Sequence, residues 1–105
     1  MNKSPDEFSN TSIFIHSDAV AWREVDGEIL IVPIRMTPGE GTGVYRLNRT
    51  ATFIWKQLDG VRNMETLISE LVTRFEVTSA DAKKDTRELL GDLLSFNAIT
   101  KLQDR

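Results

Sequence analysis

An Asp-Gly pair between two apolar runs restricts the fold of this chain more than any other feature of its sequence. Residues 19–25 and 28–34 are rich in Val, Ile and Leu, and Asp26-Gly27 joins them. Such a pair favours a two-residue hairpin turn, because both turn positions require a positive φ. Pro33 cannot donate a ladder hydrogen bond, so the second strand should end there or turn that side to solvent. The sequence therefore predicts an antiparallel hairpin.

Beyond the hairpin the apolar spacing changes from strand-like to helical. A loop at 37–43, with Pro38 and three glycines, precedes a short third strand at 44–47. Three helices follow, at about 49–58, 64–75 and 80–96, with Asn48, Asn63 and Ser79 as their N-caps. Residues 98–102 can add a last extended segment. This order predicts an α+β fold of the winged helix-turn-helix type, with a three-stranded antiparallel sheet packed on a three-helix bundle.

The amino-terminal segment is polar and carries no helical or strand pattern before residue 13. We expect residues 1–18 to form a flexible arm and residues 19–105 to form the domain. Ile13, Phe14 and Ile15 make a short apolar island within the arm. Two interpretations remain open: chain tucked onto the core, or a strand that pairs with a sheet edge of its own or a neighbouring molecule.

Charge and residue usage exclude several classes of function. The net charge is -3 and the pI is near 5.1, which disfavours nucleic acid and anionic membranes as partners. The chain has no cysteine and one histidine, His16, so it offers no thiol chemistry and almost nothing for a zinc site. It also lacks a signal-peptide pattern and an apolar run of about 20 residues. We expect a cytoplasmic protein without metal or cofactor.

No pattern of catalytic residues stands out. The glycines between Gly39 and Gly43 precede a strand and lack the following lysine of a phosphate loop. His16 has no nucleophile in a recognisable motif, and we interpret it as a surface residue. Trp22 and Trp55 are interpreted as core anchors. The sequence thus favours a binding protein over an enzyme.

The third helix carries two stripes of side chains, one mostly apolar and one that is basic at the helix start and apolar further on. One should face the core and comprises Ala82, Thr86, Leu89, Leu93 and Phe96. The other comprises Lys83, Arg87, Leu90 and Leu94, with Gly91 alongside. Either both stripes are core and Gly91 relieves crowding, or the second stripe is one wall of a groove whose other wall is the edge strand at 44–47. In the groove interpretation an extended peptide adds as a strand, and Lys83, Lys84 and Arg87 favour acidic residues in it.

The sequence resembles the PqqD-like family over residues 19–102. The resemblance rests on Tyr45-Arg46-Leu47-Asn48-Arg49-Thr50-Ala51, followed by Ile54-Trp55 and Leu58-Asp59-Gly60. The hairpin segment Trp22-Arg23-Glu24-Val25-Asp26-Gly27-Glu28 is similar as well. So is the helical half, through Leu67-Ile68, Leu71, Phe75, Asp85, Leu89-Leu90 and Leu93-Leu94. At the end of the third helix, Asn97 stands where many relatives have glycine.

The resemblance implies a non-catalytic adaptor with a winged helix-turn-helix fold. Such domains bind the leader segment of a ribosomally made precursor peptide between the third strand and the third helix. They present it to a modifying enzyme, often a radical S-adenosylmethionine protein. The residues that would bind the peptide are Val44, Tyr45, Arg46, Leu47, Lys83, Lys84, Arg87, Leu90 and Leu94. The alternatives are a winged-helix DNA-binding regulator and a small enzyme, and the chain can be a monomer or a dimer.

Overall fold

The computed structural model describes residues 9–34 and 43–102. Within these ranges the chain forms three helices and two three-stranded antiparallel sheets. The strands are β1 (Ile13–His16), β2 (Val20–Val25), β3 (Glu28–Pro33), β4 (Tyr45–Arg46), β5 (Asp59–Asn63) and β6 (Ile99–Leu102). The helices are α1 (Arg49–Lys56), α2 (Met64–Arg74) and α3 (Ser79–Ser95). This mixed architecture agrees with the predicted α+β class, but it contains two sheets where one was predicted.

The predicted hairpin forms the first two strands of the sheet β2-β3-β4. Val25 pairs with Glu28 across the turn, and Asp26 and Gly27 both have positive φ, 53° and 82°. The sheet ends at β4, which pairs with β3 alone. The loop predicted at 37–43 lies outside the described residues except for Gly43.

The second sheet has the order β5-β1-β6, with β1 antiparallel to both neighbours. Phe14 of β1 is fully buried. Just before β1, the carbonyls of Asn10 and Ser12 accept hydrogen bonds from the N–H groups of Glu65 and Met64, at 2.9 Å each. The segment assigned to a flexible arm over residues 1–18 therefore ends in an ordered strand of this chain's own sheet. Residues 1–8 lie outside the described part.

Side-chain caps set the starts of the three helices. Asn48 and Asn63 cap α1 and α2 as predicted, each accepting a backbone hydrogen bond three residues on. For α3 the cap is Thr78 and not Ser79; the two hydroxyls are chemically alike, so the sequence does not separate them. None of these helices is long and apolar enough to span a membrane within the described residues.

The end of α3 is fixed by Asn97, which takes a left-handed conformation with φ of 64°. The N–H groups of Asn97 and Ala98 donate to the carbonyls of Leu94 and Leu93, at 3.1 and 2.9 Å. This pair of bonds is the Schellman motif that usually employs glycine. It turns the chain directly into β6, so the extended segment expected at 98–102 is present.

One hydrophobic core joins the helices to both sheets. Trp55 lies within it, fully buried, together with Phe14 from β1 and Ile29 and Ile31 from β3. From α3 the core takes Ala82, Leu90 and Leu93. Since β4 pairs with β3 and is separated from α1 by two residues, this core fixes the position of β4 relative to α3.

Candidate functional site

The outer edge of β4 offers backbone groups that no strand of the described chain uses. The Leu47 N–H donates to the Ile29 carbonyl at 2.8 Å, so Leu47 faces β3. Successive residues of an antiparallel strand point their N–H and C=O groups to opposite sides. The N–H and C=O of Arg46 therefore point away from β3, at the edge of the sheet. The Arg46 side chain is held separately, 3.0 Å from Glu28 Oε1.

A buried threonine ties this edge to α1. The Ile29 N–H donates to Thr52 Oγ1 at 3.0 Å, and Thr52 Oγ1 donates to the Leu47 carbonyl at 3.2 Å. The hydroxyl thus takes the place of a direct ladder bond between Ile29 and Leu47. Because Thr52 belongs to α1, it fixes the sheet edge against that helix.

A groove of about 320 Å³ lies between this edge, α1 and α3. Its floor is apolar, formed by Leu47, Ala51, Ile54 and Leu89, and its remaining lining is polar. The polar lining residues are Arg46, Asn48, Thr50, Asp85, Glu88 and Asp92, and Tyr45 lines the groove as well. A second concavity of about 270 Å³ adjoins it at Tyr45 and Asp92 and is completed by Ser95 and Phe96.

The α3 side of the groove is an acidic wall made of Asp85, Glu88 and Asp92. None of the ion pairs among the described residues involves these three carboxylates. The Tyr45 hydroxyl donates to Asp92 Oδ2 at 3.3 Å. Partial burial, followed by the charge of Asp92 and this hydrogen bond, raises the pKa of Tyr45. The described residues contain no group of three or more His, Asp or Glu placed to hold a metal ion.

The structure brings together only the strand half of the residues predicted from sequence. Tyr45, Arg46 and Leu47 line the groove, and Val44 lies exposed just before β4. The five predicted α3 residues do not line it: Leu90 is fully buried, Leu94 packs against the core, Arg87 is partly buried, and Lys83 and Lys84 are exposed. The burial of Leu90 and Gly91 fits the interpretation of the second stripe as core.

A difference in helix phase explains this correction. At about 100° per residue, the stripe with Lys83 and Arg87 is centred half a turn from the acidic wall. The groove therefore carries carboxylates where lysine and arginine were expected. The sequence carried a signal for the face that lines the groove, since Asp85 and Asp92 lie four and three residues from Leu89.

His16 is part of an aromatic cluster and not a simple surface residue. Its ring stacks on Trp55 at 3.8 Å between centroids and meets the edge of Trp22 at 5.5 Å. Its Nε2 lies 2.8 Å from the Trp55 carbonyl. Burial lowers the pKa of His16, and this hydrogen bond opposes the effect. Of the two predicted core tryptophans, Trp55 is buried, whereas Trp22 remains 43% exposed.

Comparisons with known proteins identify the fold and the family. Residues 36–99 match the family Coenzyme PQQ synthesis protein D (PqqD). The structure of TbiB1 in complex with the TbiA(beta) leader peptide is similar, with TM-score 0.71 and 19% identity over 86% of this chain and 99% of that one. Lasso peptide synthetase B1 complexed with the leader peptide gives TM-score 0.68 and 20% identity, over 83% and 96% of the two chains.

At 19% and 20% identity the two structural neighbours show that this chain shares their fold. The leader peptides are bound by those two proteins. No curated protein matches the chain. The family match covers more than half of the sequence and includes the strand edge, α1, α2 and α3. The chain therefore belongs to the PqqD family.

Proposed function

We propose that this protein is a non-catalytic adaptor that binds the leader segment of a ribosomally made precursor peptide and presents it to a modifying enzyme. The observation that carries the proposal is the outer edge of β4, which pairs with no strand among residues 9–34 and 43–102 and lies beside a groove with an apolar floor. Sheet edges of this kind bind extended peptides by adding them as a further strand.

The comparisons support a peptide as the ligand. Both structural neighbours are complexes with leader peptides, and their fold extends over most of this chain. Membership of the PqqD family agrees with the same class of function. A precursor peptide is therefore the first partner to test.

In the proposed complex the peptide pairs with β4 through the backbone of Arg46. Alternate side chains of the added strand then point to the same side. One set enters the groove and contacts the floor formed by Leu47, Ala51, Ile54 and Leu89. Backbone pairing supplies affinity for any extended segment, and the groove supplies the discrimination between side chains.

The adaptor contributes by raising the local concentration of substrate at its enzyme. By resemblance to the family, that enzyme would be one such as a radical S-adenosylmethionine protein. The acidic wall disfavours the alternative of DNA binding through this face of α3, since phosphates would meet carboxylates.

Replacing the outward N–H of Arg46 tests strand addition directly. Arg46→Pro removes that donor and leaves the inward bonds of β4 in place, because proline is tolerated on the open side of an edge strand. Arg46→Ala is the matched control, since it removes the side chain and its ion pair with Glu28 but keeps the N–H. The ligand is the leader segment of a candidate precursor peptide sought among the neighbouring genes, and affinity is measured by calorimetry.

We expect Arg46→Pro to bind roughly tenfold more weakly than Arg46→Ala, which corresponds to the loss of one hydrogen bond in a partly desolvated site. Thermal unfolding of both variants should show that each is folded. Equal affinities of the two variants would mean that the peptide does not pair with this edge.

A further inference from the structure

We propose that the groove selects peptides that carry lysine or arginine at two alternate positions of the added strand. This inference rests on the proposed function and specifies the chemistry of the segment that is bound. It is the opposite of the acidic peptide expected from sequence, because the structure turns the acidic wall of α3 towards the groove.

The described lining of the groove holds three carboxylates and a single cation, Arg46. Asp85, Glu88 and Asp92 all line it, and the ion pairs of Arg46 with Glu28, Lys56 with Glu24 and Arg62 with Asp59 do not involve them. Arg46, which belongs to the strand side of the groove, is paired with Glu28. A bound cationic side chain would therefore relieve the repulsion between neighbouring carboxylates, whereas a bound acidic side chain would add to it.

The spacing of the carboxylates fits an extended peptide. Glu88 and Asp92 are four residues apart on a helix, a rise of about 6 Å. Side chains on the same face of a strand are two residues apart, about 6.6 Å. Two alternate residues of the peptide can thus each meet a carboxylate, and Asp85 extends the acidic wall by a further turn.

The apolar floor of the groove favours long peptide side chains. Leu89 and Ile54 line the groove together with the exposed carboxylates, so a side chain that enters meets both apolar surface and charge. Lysine and arginine have this form, with an aliphatic stem and a terminal cation. Asp92 already accepts one hydrogen bond from Tyr45, but a carboxylate has about four acceptor sites and can receive another.

A random peptide library displayed on phage and selected on the immobilised protein tests this preference. Peptides are selected at low salt, and those displaced by the leader segment are sequenced. We expect Lys or Arg to be enriched at two positions separated by one residue. The affinity of a synthetic copy of the most enriched peptide should fall several-fold on moving to high salt.

Matched variants then assign the preference to the acidic wall. We expect the double variant Asp85→Asn/Glu88→Gln to bind this synthetic peptide roughly tenfold more weakly. The control variant Glu70→Gln/Glu76→Gln removes the same charge from exposed positions outside the groove. Its affinity for the peptide should stay within about twofold of the wild-type affinity. All three residues of the acidic wall are exposed, so the groove variants should remain folded.

The outcomes separate the inference from the function on which it rests. Selected peptides that compete with the leader segment but show no basic enrichment, or that bind both double variants equally, would overturn the inference and leave the adaptor function standing. Failure of the leader segment itself to bind would overturn both.

Discussion

Thr52 and Thr86 are both buried, yet their hydroxyls have opposite roles. Thr52 Oγ1 bridges the Ile29 N–H and the Leu47 carbonyl, whereas Thr86 Oγ1 has no hydrogen-bond partner among the described residues. Thr52→Val would leave two buried backbone groups unsatisfied, and we expect it to lower the free energy of unfolding by about 2 kcal/mol. Thr86→Val removes an unsatisfied group, and we expect a gain of about 1 kcal/mol.

Urea unfolding of the two variants measures both effects with the same substitution. The contrast in sign is the informative result, since valine differs from threonine in the same way at each site. Destabilisation by a similar amount at both positions would show that the two hydroxyls do not differ as described.

At His16, burial makes stability dependent on pH. The pKa of His16 is lowered in the folded protein, so the unfolded chain binds more protons at pH values between the folded pKa and about 6.5. The stabilisation is therefore complete above about pH 6.5 and is lost as the pH falls through the folded pKa. We expect the stability of the wild type relative to His16→Gln to decrease as the pH is lowered. The midpoints of urea unfolding of both proteins, compared above and below about pH 6.5, measure this change. A difference independent of pH would contradict this account.

Among the secondary-structure elements, β1 shows why the sequence did not predict how residues 13–16 pair. A strand of four residues in a polar context carries little signal, and its partners β5 and β6 lie far along the sequence. The sequence indicated the apolar island at residues 13–15 but left its pairing open. β5 was missed for a related reason, because Asp59-Gly60 resembles a helix end and the strand has few apolar residues.

We expect the sheet β5-β1-β6 to be an essential part of the fold. Phe14 is fully buried and Ile15 is 39% exposed, so the two neighbours form a matched pair. Phe14→Ala should lower the free energy of unfolding by about 3–5 kcal/mol, and Ile15→Ala by a much smaller amount. Thermal and urea unfolding measure the difference. Small and similar decreases in the free energy of unfolding of both variants would show that β1 contributes little to the stability of the fold.

The helices were the most predictable elements, because their caps and apolar spacing are local. Asn48 and Asn63 fixed two starts, and the ends of the helices differ from prediction by one or two residues. Asn97 also explains why β6 forms without the glycine found in many relatives, since asparagine tolerates the left-handed conformation. What remained undetermined was the rotation of α3 about its axis, which depends on packing against other elements.

For the whole molecule, the groove joins segments that are far apart in the sequence. Its strand half was predictable, because β4 follows from an edge-strand argument and from the resemblance to the PqqD family. Its helical half was not, because α3 carries apolar residues on two flanks and either could have faced the core. Leu90 and Leu93, one from each stripe, are both buried, and this orientation of α3 places Asp85, Glu88 and Asp92 in the groove beside the strand.

In the proposed complex a peptide pairs with β4 and lies against the acidic wall of α3. Amide hydrogen exchange of the labelled protein, with and without the leader segment, tests this arrangement at single residues. We predict that the Arg46 amide becomes protected from exchange on binding and that the Leu47 amide is protected in both states. Changes in amide chemical shift should cluster at Glu88, Leu89 and Asp92. If exchange at Arg46 is unchanged and chemical-shift changes are confined to the flank of α3 that carries Lys83 and Arg87, the peptide does not pair with β4.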